Sequence, residues 1–428
     1  MRHPIYSLLA LGSISVVSAI DPLSDTVLDR VISLAISSSI YSWENGTLAR
    51  ALTEYYVPSI SPFTENFLTN DPNPSNSTIT SQLILIAQST LAHKQASFGQ
   101  SSTSGNWTLS AGKSLSLLDD DSAADPASLG EVVSWYNQTQ SDTQAYGVAY
   151  LLQVVPRSST GAISHRADQF QYWSDFAYMV PPFLAYMGAL ENNQTLVTEA
   201  YNQLGLYRGA LKQSNGLWKH IQQGSGSIDN GAWTTGNGWA AAGMLRVIAI
   251  IQNSGMANSF TNQIADLKSW ISEILTGAYA HELTTGLLHN YADNSSTFID
   301  STGAIILASV AYRLSAMGIT SVWVPFAERT YANVSAGVAS SDGWVAPVVN
   351  SLDWSKQGQT SPEAQSFVIL METGRRAWVS AGSTNASGSA GTGENPNQST
   401  ATRGMFVPAL SVSRGLLFGL IFVILSAI

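Results

Sequence analysis

The 428-residue chain is 45% hydrophobic and 10% aromatic but only 11% charged, and it contains no cysteine. Such a length supports one large or two medium domains with an ample core, and the apolar share excludes disorder. A formal charge of −10 (19 basic against 29 acidic residues) leaves no stripe for nucleic-acid phosphates, and the missing cysteine excludes disulfides, zinc–cysteine sites, iron–sulfur clusters and thiol nucleophiles.

Along the chain, Met1-Arg2-His3 is a short basic start, residues 5–17 are mostly apolar, and Val17-Ser18-Ala19 offers the small residues of a cleavage site. Residues 1–19 are therefore expected to be a signal peptide. The body, 20–379, reads as one helical domain. Apolar residues at three- and four-residue spacing predict helices over 26–43, 78–95, 128–136, 142–155, 194–212, 260–275 and 322–338. Three further stretches, 176–190 (with Pro181-Pro182 inside), 239–251 and 303–314, are apolar on every side. A helix apolar all round must be buried all round. Alternation of the two kinds predicts an all-α fold in two layers, an outer ring wrapped on an inner one.

Residues 380–403, rich in Ser, Gly, Thr and Asn, read as a linker, and 404–428 as a removable hydrophobic tail of the GPI-attachment type. The terminal charge-free run, 415–428, is short of the ~20 residues of a spanning helix. A tail-anchoring helix extended back to Met405 is the alternative. Nine Asn-x-Ser/Thr sequons (Asn45, Asn76, Asn106, Asn137, Asn193, Asn294, Asn333, Asn385 and Asn397) agree with a secreted, cell-surface glycoprotein. Contact with the membrane is expected only through the lipid anchor.

A weak repeat orders the helices. Glycine followed by large apolar residues recurs in Gly105-Asn106-Trp107, Gly161-Ala162-Ile163-Ser164-His165, Gly216-Leu217-Trp218-Lys219-His220, Gly286-Leu287-Leu288-His289 and Gly343-Trp344-Val345. The spacings of 55–70 residues fit two helices with their connections, and Trp43-Glu44-Asn45-Gly46 is a candidate sixth member. Six helical hairpins closed in a ring make an (α/α)6 barrel. A polar residue follows each turn at the start of the next apolar helix: Asp125, Asp175, Asn237, Asp300 and Glu363. Parallel inner helices would gather these at one mouth, among Trp107, Trp173, Trp218, Trp233, Trp239 and Trp344. Carboxylates in a concave aromatic pocket suit sugar binding and cleavage. Helix capping explains Asp300 and Asn237 equally well.

The most informative stretch is Tyr172-Trp173-Ser174-Asp175-Phe176-Ala177-Tyr178-Met179-Val180-Pro181-Pro182. Ser174 is placed to cap the helix, which frees Asp175. Desolvation between Trp173 and Phe176 is expected to raise its pKa, as a proton donor requires.

With Pro156-Arg157-Ser158-Ser159-Thr160-Gly161-Ala162-Ile163-Ser164-His165-Arg166, Gly216-Leu217-Trp218-Lys219-His220, Trp233-Thr234-Thr235-Gly236-Asn237-Gly238-Trp239 and Ser361-Pro362-Glu363-Ala364-Gln365-Ser366-Phe367, these segments over 119–376 resemble the unsaturated glucuronyl and rhamnogalacturonyl hydrolases of glycoside hydrolase families 88 and 105, in the six-hairpin glycosidase superfamily. The resemblance implies an (α/α)6 barrel without metal or cofactor that removes a 4,5-unsaturated uronic acid left by a polysaccharide lyase. It gives Asp175 the task of protonating the vinyl ether and activating the water that hydrates it. A second aspartate falls near Asp125, beside the cluster Asp119-Asp120-Asp121. Arg166, His220, Trp233 and Trp239 fall at substrate-contacting positions, and Trp173, Trp218, Asn237 and Thr235 join them in the expected pocket.

One position departs. Where the family commonly has an arginine for the uronate carboxylate, this chain has Thr235, which offers no pair of parallel charge-assisted bonds. Either Arg166 or Lys219 takes the anion, or the substrate lacks it. The expectation is a secreted, monomeric glycoside hydrolase acting on the end of a pectin-derived oligosaccharide, with no nucleic-acid partner. Its alternatives are a surface-anchored glycosidase on a neutral glycan such as α-mannan, for which Asp120-Asp121 is a poor match to a paired catalytic motif, and a non-catalytic glycan-binding relative. The six histidines (3, 93, 165, 220, 281 and 289) lack metal-site spacing, and His165 and His220, in the repeated turns, are placed in the pocket.

Overall fold

The computed structural model describes residues 21–70, 77–98, 117–118, 121–136 and 141–382. The expected signal peptide and hydrophobic tail, nearly all of the linker, Trp107, Asp119 and Asp120 lie outside the described residues. The chain divides into Met1–Ser389 and Ala390–Ile428, and every described residue belongs to the first unit.

Twelve helices follow one another among the described residues: α1 (Asp25–Ser38), α2 (Ser42–Tyr56), α3 (Ser77–Phe98), α4 (Gly130–Tyr136, entered through a 3₁₀ turn at Asp125–Leu129), α5 (Ser141–Gln153), α6 (Phe176–Leu190), α7 (Gln194–Leu211), α8 (Thr234–Asn253), α9 (Thr261–Tyr279), α10 (Ser301–Ala316), α11 (Val324–Ser340) and α12 (Pro362–Ser380). The even-numbered helices form the inner ring. α2 packs on the 3₁₀ turn before α4, that turn on α6, and α6, α8, α10 and α12 continue in order back to α2. Odd-numbered helices back them: α7 on α6, α9 on α8, α11 on α10 and α1 on α12. This is the expected (α/α)6 barrel. The stretches apolar on every side are inner helices, with α6 buried from Phe176 to Ala189 and α10 from Ser301 to Leu314.

Two expectations need correction. The helix read across 26–43 is broken at Ser39–Tyr41, where the Glu44 carboxylate accepts the backbone N–H groups of Ile40 (2.7 Å) and Tyr41 (3.0 Å) and starts α2 afresh. Gly46 then falls inside α2, so the sixth repeat turn is not there. Gly105 lies outside the described residues, and the remaining four repeat glycines behave alike. Gly161, Gly216, Gly286 and Gly343 take φ of 95°, 88°, 80° and 101°, the left-handed region where a side chain is strained.

The prolines of α6 shape the ring from within. Proline has no N–H, so Pro181 and Pro182 leave the carbonyls of Ala177 and Tyr178 without their helical donors. Arg50 of α2 donates to the Tyr178 carbonyl (2.6 Å) and stacks over its ring (4.5 Å). Gly243 of α8 lies against the Ala177 carbonyl, where a Cβ would approach the oxygen to 1.9 Å. Arg50 also pairs with Glu131 of α4 (2.9 Å). Glu131 pairs with Arg246 of α8 (2.6 Å), Arg246 with Glu54 of α2 (2.6 Å), and Glu54 with Arg313 of α10 (2.8 Å). Burial alone would raise the Glu131 carboxyl, but Arg246 and Arg50 hold it below the ordinary carboxylate range.

Removing one partner of a buried pair strands the other. Glu131→Ala should therefore lower the free energy of unfolding in urea by about 3–5 kcal/mol. Glu273→Ala, whose pairs with Arg208 (2.7 Å) and Lys212 (2.9 Å) are partly exposed, should cost less than about 1 kcal/mol in the same titration.

Candidate active site

The repeat turns deliver the site. His165 and His220 each stand four residues after a turn glycine, and a short strand pair joins the two turns: β1 (Tyr172–Trp173) runs antiparallel to β2 (Ile221–Gln222), with Trp173 opposite Ile221. The Ser174 N–H donates to the His220 carbonyl (2.9 Å), so Asp175, next in the chain, faces the His220 ring. Trp173 lies between the two imidazoles, stacked on His165 (4.9 Å) and edge-on to His220 (5.4 Å).

A cavity of about 440 Å³ opens at these helix starts. Its rim carries Tyr41 and Leu352, 41% and 59% exposed, whereas His220, Trp239 and Glu363, at 1–3%, form its inner end. Two loops build the rim, one before α2 and one joining β3 (Val348–Asn350) to β4 (Asp353–Gly358). A pocket open at one end and closed at the other admits the end of a chain.

Of the residues expected at the site, Asp125, Arg166, Trp173, Asp175, His220, Trp233 and Trp239 line this cavity, with His165 and Glu363. Trp218, Asn237 and Thr235 do not. Trp218 is fully buried, and Asn237 accepts its N–H (2.7 Å) and donates to its carbonyl (2.9 Å), tying the turn to α8. Thr235 donates to Asp300 (2.9 Å), which caps α10 by accepting from the N–H of Thr302 (3.0 Å) and also holds Val349 (3.0 Å). For Asp300 the capping reading is the correct one, whereas Asn237 lies inside α8 and is a tie between backbones, not a cap. Trp344 and Lys219 stand outside the lining as well, and among the described residues Arg166 is the only Lys or Arg in it. Sequence reasoning placed none of Tyr41, Trp43 and Trp354 in the pocket: Tyr41 stands at the break before α2, Trp43 in the first turn of α2, and Trp354 on a short strand beyond the last repeat turn.

Asp175 is not engaged in capping α6, as anticipated, but Ser174 does not cap either; its hydroxyl donates to Asp175 Oδ2 (3.1 Å). The expected upward pKa shift is reversed. Burial does push Asp175 up, but His220, and His165 beyond it, outweigh burial and hold the carboxyl below its ordinary value. Its Oδ2 lies 3.5 Å from Nε2 of His220, while Nδ1 of that ring is 3.0 Å from Asp229 Oδ2. Burial disfavours charge on His220, but Asp175 and Asp229 prevail and raise its pKa. Of this pair, the His220 ring therefore favours the proton and Asp175 the charge. His165, 3.5 Å from Asp125, goes the other way, lowered to about 4 chiefly by burial, and is neutral at physiological pH. Among the described residues no group of His, Asp and Glu side chains could hold a metal ion.

Glu363 is the second acid of the inner end. Buried and close to Glu44, its carboxyl is pushed up to about 8. The folded chain therefore binds a proton there that the unfolded chain releases above about pH 4.5. The stability so gained is lost as pH rises from about 4.5 through 8, at up to ~1.4 kcal/mol per pH unit. Glu363→Gln, neutral throughout, should flatten this fall, so that its melting temperature exceeds that of the wild type increasingly between pH 6 and 9.

Comparison with known proteins agrees with this geometry. The family model for Glycosyl Hydrolase Family 88 matches residues 110–346, more than half the chain. A possible member of glycoside hydrolase family 105 from Salmonella enterica subsp. enterica serovar Paratyphi A is similar in structure, with TM-score 0.63 at 14% identity over 87% of this chain and 98% of its own. A family 88 glycosyl hydrolase from Bacteroides vulgatus gives TM-score 0.59 at 14% identity, over 82% and 97%. The unsaturated glucuronyl hydrolase of Bacillus sp. GL1, responsible for degradation of glycosaminoglycan, gives 0.56 at 11%, over 81% and 95%. No curated protein matches the chain. An (α/α)6 barrel whose cavity gathers aspartates, histidines and tryptophans within the matched region is thus a glycoside hydrolase, and the chain belongs to glycosyl hydrolase family 88.

Proposed function

We propose that the protein removes a terminal 4,5-unsaturated uronic acid from short, pectin-derived oligosaccharides, as a secreted enzyme held at the cell surface. The observation that carries this reading is the Asp175–His220 pair, which holds one proton at the closed end of a cavity sized for a sugar. Hydration of a vinyl ether needs a proton at C4 and a water at C5. The pair supplies the first, and Asp175, once the proton has left, takes one from the water. The pair is thereby restored; the hemiketal at C5 opens to a ketone, and the hemiacetal this leaves at C1 collapses to an aldehyde and releases the remaining sugar. Trp173, Trp233 and Trp239 offer apolar faces to the ring, and Tyr41, stacked on Trp43 at 4.7 Å, offers another to the sugar beyond it. Because Thr235 is engaged by Asp300 and Lys219 stands away, Arg166 is the guanidinium for the uronate carboxylate. The N-terminal apolar segment, the sequons and the apolar C-terminal run support secretion and anchoring.

The assay is loss of the ultraviolet absorbance of the C4=C5 bond in unsaturated uronyl disaccharides. Asp175→Asn should lower kcat by at least ~10³-fold with an unchanged melting temperature. Arg166→Ala removes a hydrogen bond between charged groups worth ~1.5–3 kcal/mol, so KM should rise roughly 10- to 100-fold with kcat largely kept. A wild type inert on every such disaccharide sinks the proposal, and release of sugar from α-manno-oligosaccharides in its place would indicate a neutral substrate.

A further inference from the structure

The aspartate behind His220 has no part in the reaction as described so far, yet it is the ring's closer partner. Asp229 Oδ2 is 3.0 Å from Nδ1 of His220 and also accepts from the Tyr291 hydroxyl (2.7 Å), while Oδ1 accepts the Gly231 N–H (2.9 Å). The backbone clamps both residues. Ile221, next to His220, exchanges hydrogen bonds with Asp229 (2.9 and 3.1 Å), and the His220 N–H donates to the Gly231 carbonyl (3.0 Å). An imidazole fixed at Nδ1 by a carboxylate has its other nitrogen aimed, here at Asp175 across 3.5 Å.

We propose that Asp229 is a positioning residue for the reaction: by accepting from Nδ1 it orients His220 and keeps the shared proton within reach of Asp175, and Tyr291 moderates it by donating to the same carboxylate oxygen. The proposal rests on the reading of Asp175 and His220 as the proton-bearing pair. The groups that face His220 are Asp175 from the start of α6, Asp229 from the turn after β2, and His165, whose ring lies across Trp173 and is itself faced by Arg166. The two aspartates favour the charged ring, whereas burial opposes it. Withdrawing the charge at Asp229 therefore releases the proton at lower pH. Withdrawing the Tyr291 hydroxyl leaves Asp229 a stronger acceptor and delays the release.

The two variants thus move one observable in opposite directions, which a merely structural role would not do. Asp229→Asn should shift the alkaline limb of kcat/KM on an unsaturated disaccharide downward by about one pH unit, with KM at pH 6 within about twofold of wild type. Tyr291→Phe should shift the limb upward by less. The same order should appear without substrate in the titration of ¹⁵N-labelled histidines, with the His220 signals identified by their absence from His220→Gln. Limbs and titrations unmoved by both variants, or moved in one common direction, overturn the proposal. Should Asp229→Asn fail to fold, the upward shift in Tyr291→Phe decides alone. A wild type without turnover on unsaturated disaccharides would overturn the proposed function, and the histidine titration would still decide the role of Asp229.

Discussion

The bond from Arg50 to the Tyr178 carbonyl is the contact on which this barrel turns. Two consecutive prolines inside α6 would ordinarily break it, because they strip two carbonyls of their donors and press on the preceding turn. Here one carbonyl receives a guanidinium from α2 and the other faces the bare backbone of Gly243 on α8. The defect in one helix becomes the attachment of its neighbours. Through Glu131, Arg246, Glu54 and Arg313 the same guanidinium is linked to α4, α8 and α10. α6 is held firmly at the very turn that precedes these prolines, and that turn carries Asp175.

This changes the meaning of a low charge content. Charge is scarce because two concentric layers leave little chain facing water, but what charge there is does not stay outside. Arg50, Glu54, Glu131, Arg246, Glu328, Glu372 and Arg375 are all nearly inaccessible. Buried ion pairs give less net stability than an apolar core of the same shape, but they penalise any packing in which partners fail to meet. In a barrel of similar apolar helices, several registers would bury comparable surface, and the ion pairs distinguish among them. The Tyr331 hydroxyl adds the first hairpin to this pattern, donating to Glu372 (2.6 Å) and accepting the Leu23 N–H (2.8 Å).

The architecture was legible in the sequence because it depends on periodicity, and the inner helices announced themselves by lacking a polar face. Asp175 was legible for a local reason: a carboxylate set between aromatic residues at the head of an apolar helix. Its protonation was not, because the partner that decides it, His220, lies 45 residues on and meets it only through the β1–β2 pairing. Thr235, Asn237 and Trp218 were misplaced for a related reason. They lie close in sequence to Trp233 and Trp239, which line the cavity, but which way each side chain points is settled by Asp300 and by the preceding turn, neither of which spacing reveals. Tyr41 and Trp43 were hidden inside what reads as one continuous helix, since only the reciprocal cap at Glu44 marks the break.

The cavity is made of two kinds of structure with different freedom to vary. Its inner end belongs to helix starts and repeat turns, where Gly238 admits Ile306 and Gly303 admits Thr234 so closely that a side chain on either glycine would part α8 from α10. Its rim belongs to the loops that carry Tyr41 and Leu352, whose side chains are exposed. Insertions, deletions and aromatic exchanges at the rim would leave the proton-bearing pair where it is. The scaffold thereby separates the two demands on such an enzyme: the reaction is inherited with the barrel, and the choice of what the sugar is attached to is free to drift on its edge.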